Sequence, residues 1–235
     1  VDGSIPTTIK STTIEEPNFF ISTETFSETE KPDGNFPTVK SPNPEDKLAL
    51  KMAVSLASKK NADLVIGTDP DADRLGIVVR DLDNDWYYLN GNQIMVIFTE
   101  YLLSRLKNNK QLGSNNFIAT TIVSSPMIEN LANAYGVKFK NCLTGFKWIA
   151  KLIKDTPDLK FVGGGEESFG YLVGDNIRDK DAVSASLLAC ELASELQSKG
   201  ENIFKYLIDF QTILFVLGLF LIIFLIVILY VFMCF

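Results

Sequence analysis

The stretch Leu64-Val65-Ile66-Gly67-Thr68-Asp69-Pro70-Asp71-Ala72-Asp73-Arg74-Leu75-Gly76-Ile77-Val78-Val79 constrains the fold more than any other part of the chain. Two apolar, β-branched runs flank a short acidic loop, so the pattern predicts strands over 63–67 and 75–80. Within the loop Asp69, Asp71 and Asp73 stand at every second position, and Arg74 follows at once. In extended chain such positions point to one side. Carboxylates that face one way repel each other, at roughly 3 kcal/mol per pair for about 6 Å and an effective dielectric near ~20. A hard divalent cation with oxygen ligands removes that cost, and Mg²⁺ suits a short, stiff carboxylate loop. The other reading of the same residues is an acidic turn between strands, where Asp, Pro and Gly are common.

Around this loop the chain alternates between strand and helix patterns. Residues 1–45 are rich in Ser, Thr, Pro and acidic residues and read mostly as loop, with one short strand over 18–22 and a turn over 32–37. A helix is expected over 45–60, opened by Pro44 and Glu45, with Leu48, Met52, Val54 and Leu56 as its apolar stripe. After a polar turn at 81–85 and a strand at 86–89, helices are expected over 93–107, 126–135, 146–154 and 179–199, with another starting at 202. Strands are expected over 117–124, 137–142 and 159–163, the last running into a glycine-rich loop. This order argues for an α/β chain with three-layer, mixed and mostly parallel sheets.

Composition excludes several function classes. The 235 residues leave room for one large or two small domains. A net charge of −7 without a basic block argues against a nucleic-acid surface. No histidine is present, so imidazole ligands and His-based nucleophile activation are ruled out within this chain. Cys142, Cys190 and Cys234 give no disulfide framework and fit a reducing compartment. The start lacks the pattern of a secretory leader, and it opens on Val1, so a fragment or a processed product is expected. Residues 210–235 carry no charge, and nineteen of positions 213–235 are Leu, Ile, Val or Phe. Insertion of such a helix into a membrane is favourable by about 6–11 kcal/mol. The tail reads either as a membrane anchor or as the product of a shifted reading frame.

Other motifs carry chemistry. Gly164-Gly165-Glu166-Glu167-Ser168 sits at the end of a predicted strand, where open α/β sheets bind ligands. Glycines let backbone approach a ligand, and a carboxylate and a hydroxyl two residues apart suit neighbouring sugar hydroxyls. A glycine-rich turn with solvated glutamates is the plainer alternative. Leu143-Thr144-Gly145-Phe146-Lys147 is a strand-to-helix turn whose N–H groups suit an anion, or an ordinary cap. Arg178-Asp179-Lys180-Asp181 precedes the long helix, with Asp179 a reasonable N-cap. The acidic loop is not an EF-hand, which needs Gly where Arg74 stands and Glu where Arg80 stands. It also lacks the Thr or Val of a haloacid-dehalogenase-type phosphatase loop, which disfavours a hydrolase with Asp69 as nucleophile.

Asp69-Pro70-Asp71-Ala72-Asp73-Arg74 resembles the metal loop of the α-D-phosphohexomutases, the phosphoglucomutase/phosphomannomutase family, and the three other motifs follow in family order. The resemblance runs from about Phe36 to Phe210. It implies the C-terminal part of domain 2 over 1–85 and domain 3 over 86–209, with 210–235 as an apolar tail. It implies that Asp69, Asp71 and Asp73 hold Mg²⁺ and that Arg74 holds the transferring phosphate. Glu166 and Ser168 would then bind the O3 and O4 hydroxyls of a hexose, with Thr144, Gly145 and Lys180 completing the pocket. The implied activity is Mg²⁺-dependent phosphoryl transfer between the 1- and 6- (or 5-) positions of a sugar phosphate through a bisphosphate, in the cytoplasm. Ser41-Pro42-Asn43-Pro44 resembles the family's Ser-His-Asn-Pro phosphoserine loop but lacks the His, and its surroundings match a structural segment, so Ser41 is not taken as the nucleophile. Neither that loop nor the Arg-Ser-Gly-Thr-type phosphate loop is found here, so this chain alone is expected to be incomplete and inactive. The alternative is a non-catalytic fragment that binds sugar phosphate or metal and is tethered to a membrane through 212–235.

Overall fold

The two apolar runs around the acidic loop form β1 (Leu64–Thr68) and β2 (Leu75–Arg80), paired antiparallel with Gly67 opposite Gly76. This is a computed structural model, and it describes residues 33–210. The strand expected over 18–22 and the apolar tail beyond 210 lie outside the described residues. Among the described residues no helix is long and apolar enough to cross a membrane. β3 (Trp86–Tyr88) pairs antiparallel with β2 across the turn at 81–85, giving a three-stranded sheet. Val65 and Val78 face α1 (Lys51–Lys60), whereas Leu75, Ile77 and Val79 face the main core. This split is the period-two alternation of a strand buried on both sides.

The helix expected from 45 begins six residues later, at Lys51. Asn43 Oδ1 accepts from the Glu45 N–H at 3.1 Å, and Asp46 Oδ1 accepts from the Leu48 N–H at 2.9 Å. These Asx turns hold residues 44–50 in turn conformation and leave Leu48, expected in the apolar stripe, 67% exposed, while Leu50, outside that stripe, is buried.

The second sheet has the order β5-β4-β6-β7. β4 (Asn116–Thr121) pairs parallel with both β5 (Lys138–Cys142) and β6 (Lys160–Glu166), and β7 (Gly170–Val173) runs antiparallel to β6. Helices cover both faces. Ile118, Val162 and Tyr171 pack into the main core with α2 (Gly91–Asn108), α3 (Met127–Tyr135) and α5 (Ala182–Ser198). Phe117, Ala119, Phe161 and Leu172 face the opposite way, onto Phe146, Ile149 and Ile153 of α4 (Phe146–Asp155). Burying each of those α4 side chains contributes about 1.5–3 kcal/mol, which fixes the helix on the sheet. The expected three-layer, mostly parallel arrangement holds for this sheet, whereas the first sheet is wholly antiparallel.

Three local expectations change. The strand at 117 ends at Thr121, because β5 ends at Cys142 and the chain turns there, leaving Ile122 64% and Val123 55% exposed. The glycines at 163–165 lie inside β6 rather than in a loop. A Cβ on Gly164 would come within 1.9 Å of the Ala119 carbonyl oxygen, so these glycines admit a neighbouring strand and not a ligand. The long helix is capped by Asp181, whose side chain accepts from the Val183 N–H at 3.0 Å, and not by Asp179.

Candidate functional site

The acidic loop is a turn closed on the side chain of Asp69. Asp69 Oδ1 accepts from the backbone N–H groups of Asp73 and Arg74, each at 3.0 Å, and the Asp69 carbonyl accepts from the Ala72 N–H at 3.1 Å. Ala72 takes a left-handed conformation with φ 55°, and its carbonyl accepts from the Ala182 N–H at the start of α5, at 2.9 Å. The three carboxylates therefore converge by a turn, not by the pleat of an extended chain. One oxygen from each of Asp69, Asp71 and Asp73 lies within 4.8 Å of the others. At that spacing and an effective dielectric of ~20, each like-charged pair costs about 3 kcal/mol, which a hard cation on an all-oxygen donor set offsets. The donor set thus fits Mg²⁺.

Two cations face the loop. Lys180 Nζ lies 2.7 Å from Asp73 Oδ2, and Arg74 Nε lies 3.6 Å from Asp69 Oδ2 and 3.8 Å from Asp73 Oδ1. Arg74 also reaches Glu45 at 3.2 Å. Burial pushes the Asp69 carboxyl up, and its hydrogen bond and charge interaction with Asp73 add to that against the two backbone N–H groups. For Asp73 burial acts upward too, but the Lys180 ammonium and the hydrogen bond with Asp69 outweigh it and hold the carboxyl low. The shared contact thus pushes the two carboxyls in opposite directions.

Lys180 reaches Asp73 because Gly170 has no side chain. A Cβ on Gly170 would sit 2.2 Å from Lys180 Cδ. Gly170 forms a bridge with Arg74, and the Phe169 carbonyl accepts from the Leu75 N–H at 2.9 Å, so the β6–β7 hairpin is stitched to the end of the acidic loop. The ammonium also lies 5.7 Å from the Phe146 ring centroid. Neither Gly170 nor this stitching is legible in the sequence, although the run Tyr171-Leu172-Val173 between two glycines carries a short strand signal.

Glu166, the last residue of β6, is buried, and its Oε1 accepts from the Gly145 N–H at 2.8 Å. Burial raises its pKa against the pull of that N–H and of the Lys180 charge. The helix N-terminus expected to hold an external anion thus already donates its Gly145 N–H to a carboxylate of the protein. Gly145 has φ 111°, a conformation that requires glycine. Ser168 is half-buried on the hairpin turn and Thr144 is exposed; neither makes a hydrogen bond among the described residues. The structure therefore joins Asp69, Asp71, Asp73, Arg74 and Lys180 directly, and Glu166 with Gly145. It ties Ser168 and Thr144 to the others only through the chain.

Glu167 carries a role that no sequence pattern signals. Its Oε2 accepts from Thr121 Oγ1 at 3.0 Å and Ser124 Oγ at 3.3 Å, so it ties the hairpin to the end of β4. Its carbonyl rests against Gly91, where a Cβ would approach to 1.9 Å.

With this geometry in hand, the comparisons with known proteins agree on one family. Residues 90–209 match the model of phosphoglucomutase/phosphomannomutase alpha/beta/alpha domain III, and residues 6–83 match that of alpha/beta/alpha domain II. A phosphoglucomutase of Staphylococcus epidermidis is 44% identical over 171 residues, 72% of this chain and 31% of the relative. One of Staphylococcus aureus is 45% identical over 174 residues, 74% of this chain and 31% of the relative. The chain thus spans about a third of the length of these curated relatives. Among solved structures, a phosphoglucomutase/phosphomannomutase family protein of Burkholderia thailandensis superposes with a TM-score of 0.59 at 19% identity, covering 75% of this chain and 35% of that one. A phosphoglucomutase from Paramecium does so with 0.51 at 22% identity, covering 71% and 29%. These superpositions establish the fold, and the family matches cover most of the chain: it belongs to the phosphoglucomutase/phosphomannomutase family.

Proposed function

We propose that this chain supplies the metal-binding and sugar-binding segments of an Mg²⁺-dependent phosphohexomutase, which interconverts a sugar 1-phosphate with its 6- or 5-phosphate. The observation that carries this reading is the convergence of three carboxylates within 4.8 Å, beside a lysine that a glycine of the sugar-loop hairpin lets through. Residues 1–85 would form the end of domain II and 86–209 domain III.

Asp69, Asp71 and Asp73 would hold Mg²⁺, which as a Lewis acid neutralises charge on a transferring phosphoryl group. Arg74 offers a planar, bidentate donor to the same phosphate, and Asp69 and Asp73 hold its Nε side in place. Glu166 and Ser168 would take the sugar hydroxyls in either orientation. The Gly145 N–H keeps the Glu166 carboxylate fixed, and the Glu167 hydrogen bonds hold the hairpin on which Ser168 sits. Lys180 would neutralise charge between metal loop and sugar. The phosphoserine that exchanges phosphate with the sugar is not among these residues.

Grafting tests this reading. The corresponding segment of the Staphylococcus epidermidis phosphoglucomutase would be replaced by residues 36–210, and mutase turnover of glucose 1-phosphate measured. The expected result is an active chimera that loses at least ~10²-fold in kcat on Asp71→Asn, in line with removal of an electrostatic stabiliser. A folded, Mg²⁺-binding chimera with no turnover would overturn the assignment. The chain alone is expected to bind Mg²⁺ weakly, because three carboxylates leave further positions to water and phosphate. Micromolar affinity in titration calorimetry would contradict that.

A further inference from the structure

A second charged feature lies outside the carboxylate site. Lys147, Lys151 and Lys154 recur at i, i+4 and i+7 on the outer face of α4, and Arg178, from the loop before α5, faces them. With Ala150 and Asp155 they line a groove of about 430 Å³. Its only carboxylate, Asp155, is already engaged by Lys151 at 2.5 Å. Lys147 rests 5.4 Å from the Trp148 ring centroid. Lys154 and Arg178 make no ion pair or hydrogen bond among the described residues, although the whole chain carries a net charge of −7. Asp179, next to Arg178, contacts Lys180 at 3.6 Å.

We propose that this groove binds a small phosphate-bearing ligand, a phosphomonoester dianion, at a site separate from the carboxylate loop. The argument mirrors that for the metal loop with the signs reversed. Four cations around one concavity repel each other, and one carboxylate offsets only part of that charge. A phosphate dianion removes the repulsion, and the guanidinium of Arg178 presents a planar fork that matches its oxygens. Helix stabilisation by a cation near the C-terminus accounts for Lys154 alone, not for the gathering of all four. A long polyanion fits less well, because α4 has only ten residues. The groove begins two residues beyond Gly145 and ends two before Lys180. The inference does not rest on the mutase reading.

The test follows the backbone amide shifts of residues 147–155 in the full chain at low ionic strength, without Mg²⁺, as inorganic phosphate and, separately, glucose 1-phosphate are added. Saturable shifts are expected with both, and a tighter response to glucose 1-phosphate marks the sugar ester as the preferred source. The double variant Lys154→Gln, Arg178→Gln is expected to weaken binding at least tenfold, with unchanged thermal stability. Asp71→Asn is expected to leave it unchanged, which separates this site from the metal loop. Non-saturating shifts equal to those from chloride at matched ionic strength would overturn the proposal, as would an unaffected double variant. Tighter binding of an RNA oligonucleotide or of phosphatidylserine vesicles to the same residues would also overturn it, in favour of a macromolecular surface.

Discussion

Gly170 carries no chemistry of its own, yet it decides where Lys180 points. In Gly170→Ala the new Cβ displaces the stem of Lys180, a flexible side chain, rather than backbone. The expected result is a stability loss within ~1 kcal/mol, at the mild end of overpacking, with the Lys180 ammonium moved away from Asp73; denaturant unfolding and the lysine ammonium resonances read both. Gly164→Ala is the contrasting case, because its Cβ meets the Ala119 carbonyl of the adjoining strand. There about 3 kcal/mol or more is expected, since neither strand can yield. Cys142 offers a chemical readout close to Glu166. Burial, and then the Glu166 charge, push its thiol up to about 11. Alkylation of Cys142 is therefore expected to be slow at pH 8 and to accelerate only towards pH 11, followed by peptide mass mapping; fast labelling at pH 8 would refute this placement.

At the scale of elements, α2 is set by both ends of its first turn. The Asn90 side chain accepts from the Gln93 N–H at 2.9 Å, and the Gln93 side chain accepts from the Asn90 N–H at 2.9 Å. Gln93 Nε2 also donates to the Tyr87 hydroxyl at 3.0 Å, which ties the helix to β3 of the first sheet. Asn90→Ala is expected to cost about 1 kcal/mol, as for other N-caps, measured by urea unfolding. Sequence periodicity places this helix well, because Ile94 and Ile97 face the core. It places α1 poorly, because Asx turns at Asn43 and Asp46 compete with the first helical turn. It misses β7, because the three apolar residues after Gly170 carry a short strand signal but are too few to show a period.

Across the whole molecule, α2, α3 and α5 meet around a half-buried carboxylate, that of Glu100. Glu100 Oε1 accepts from the Tyr135 hydroxyl at 2.8 Å, while Oε2 is buried without a hydrogen-bond partner among the described residues. Burial raises the Glu100 pKa, against the hydrogen bond from Tyr135. A carboxyl whose pKa is higher folded than unfolded contributes its stability in full below the unfolded value and loses it as pH rises through the folded one. Ionised Glu100 is thus a cost at neutral pH. Glu100→Gln is expected to stabilise the protein by about 1 kcal/mol at pH 7 and to change little at pH 4. Thermal unfolding at the two pH values checks both the size and the sign.

The amino-acid sequence by itself singled out candidate site residues and most of the segments that form strands and helices around them. Those properties are local: alternating apolar runs, aspartates two residues apart, glycines and caps at element ends. Of the residues it singled out, Asp69, Asp71, Asp73, Arg74 and Lys180 meet directly and Glu166 meets Gly145, while Thr144 and Ser168 are tied to them only through the chain. Only the tertiary structure decided how they meet. The carboxylates converge because Ala72 turns left-handed and the turn is anchored to α5, not because the chain is extended. Gly145 serves Glu166 instead of an outside anion, and Glu167 braces the hairpin from within. Each of these depends on two segments far apart in the chain coming within hydrogen-bonding reach. Such contacts arise from the packing of helices and strands between the two sheets, and no local pattern encodes them.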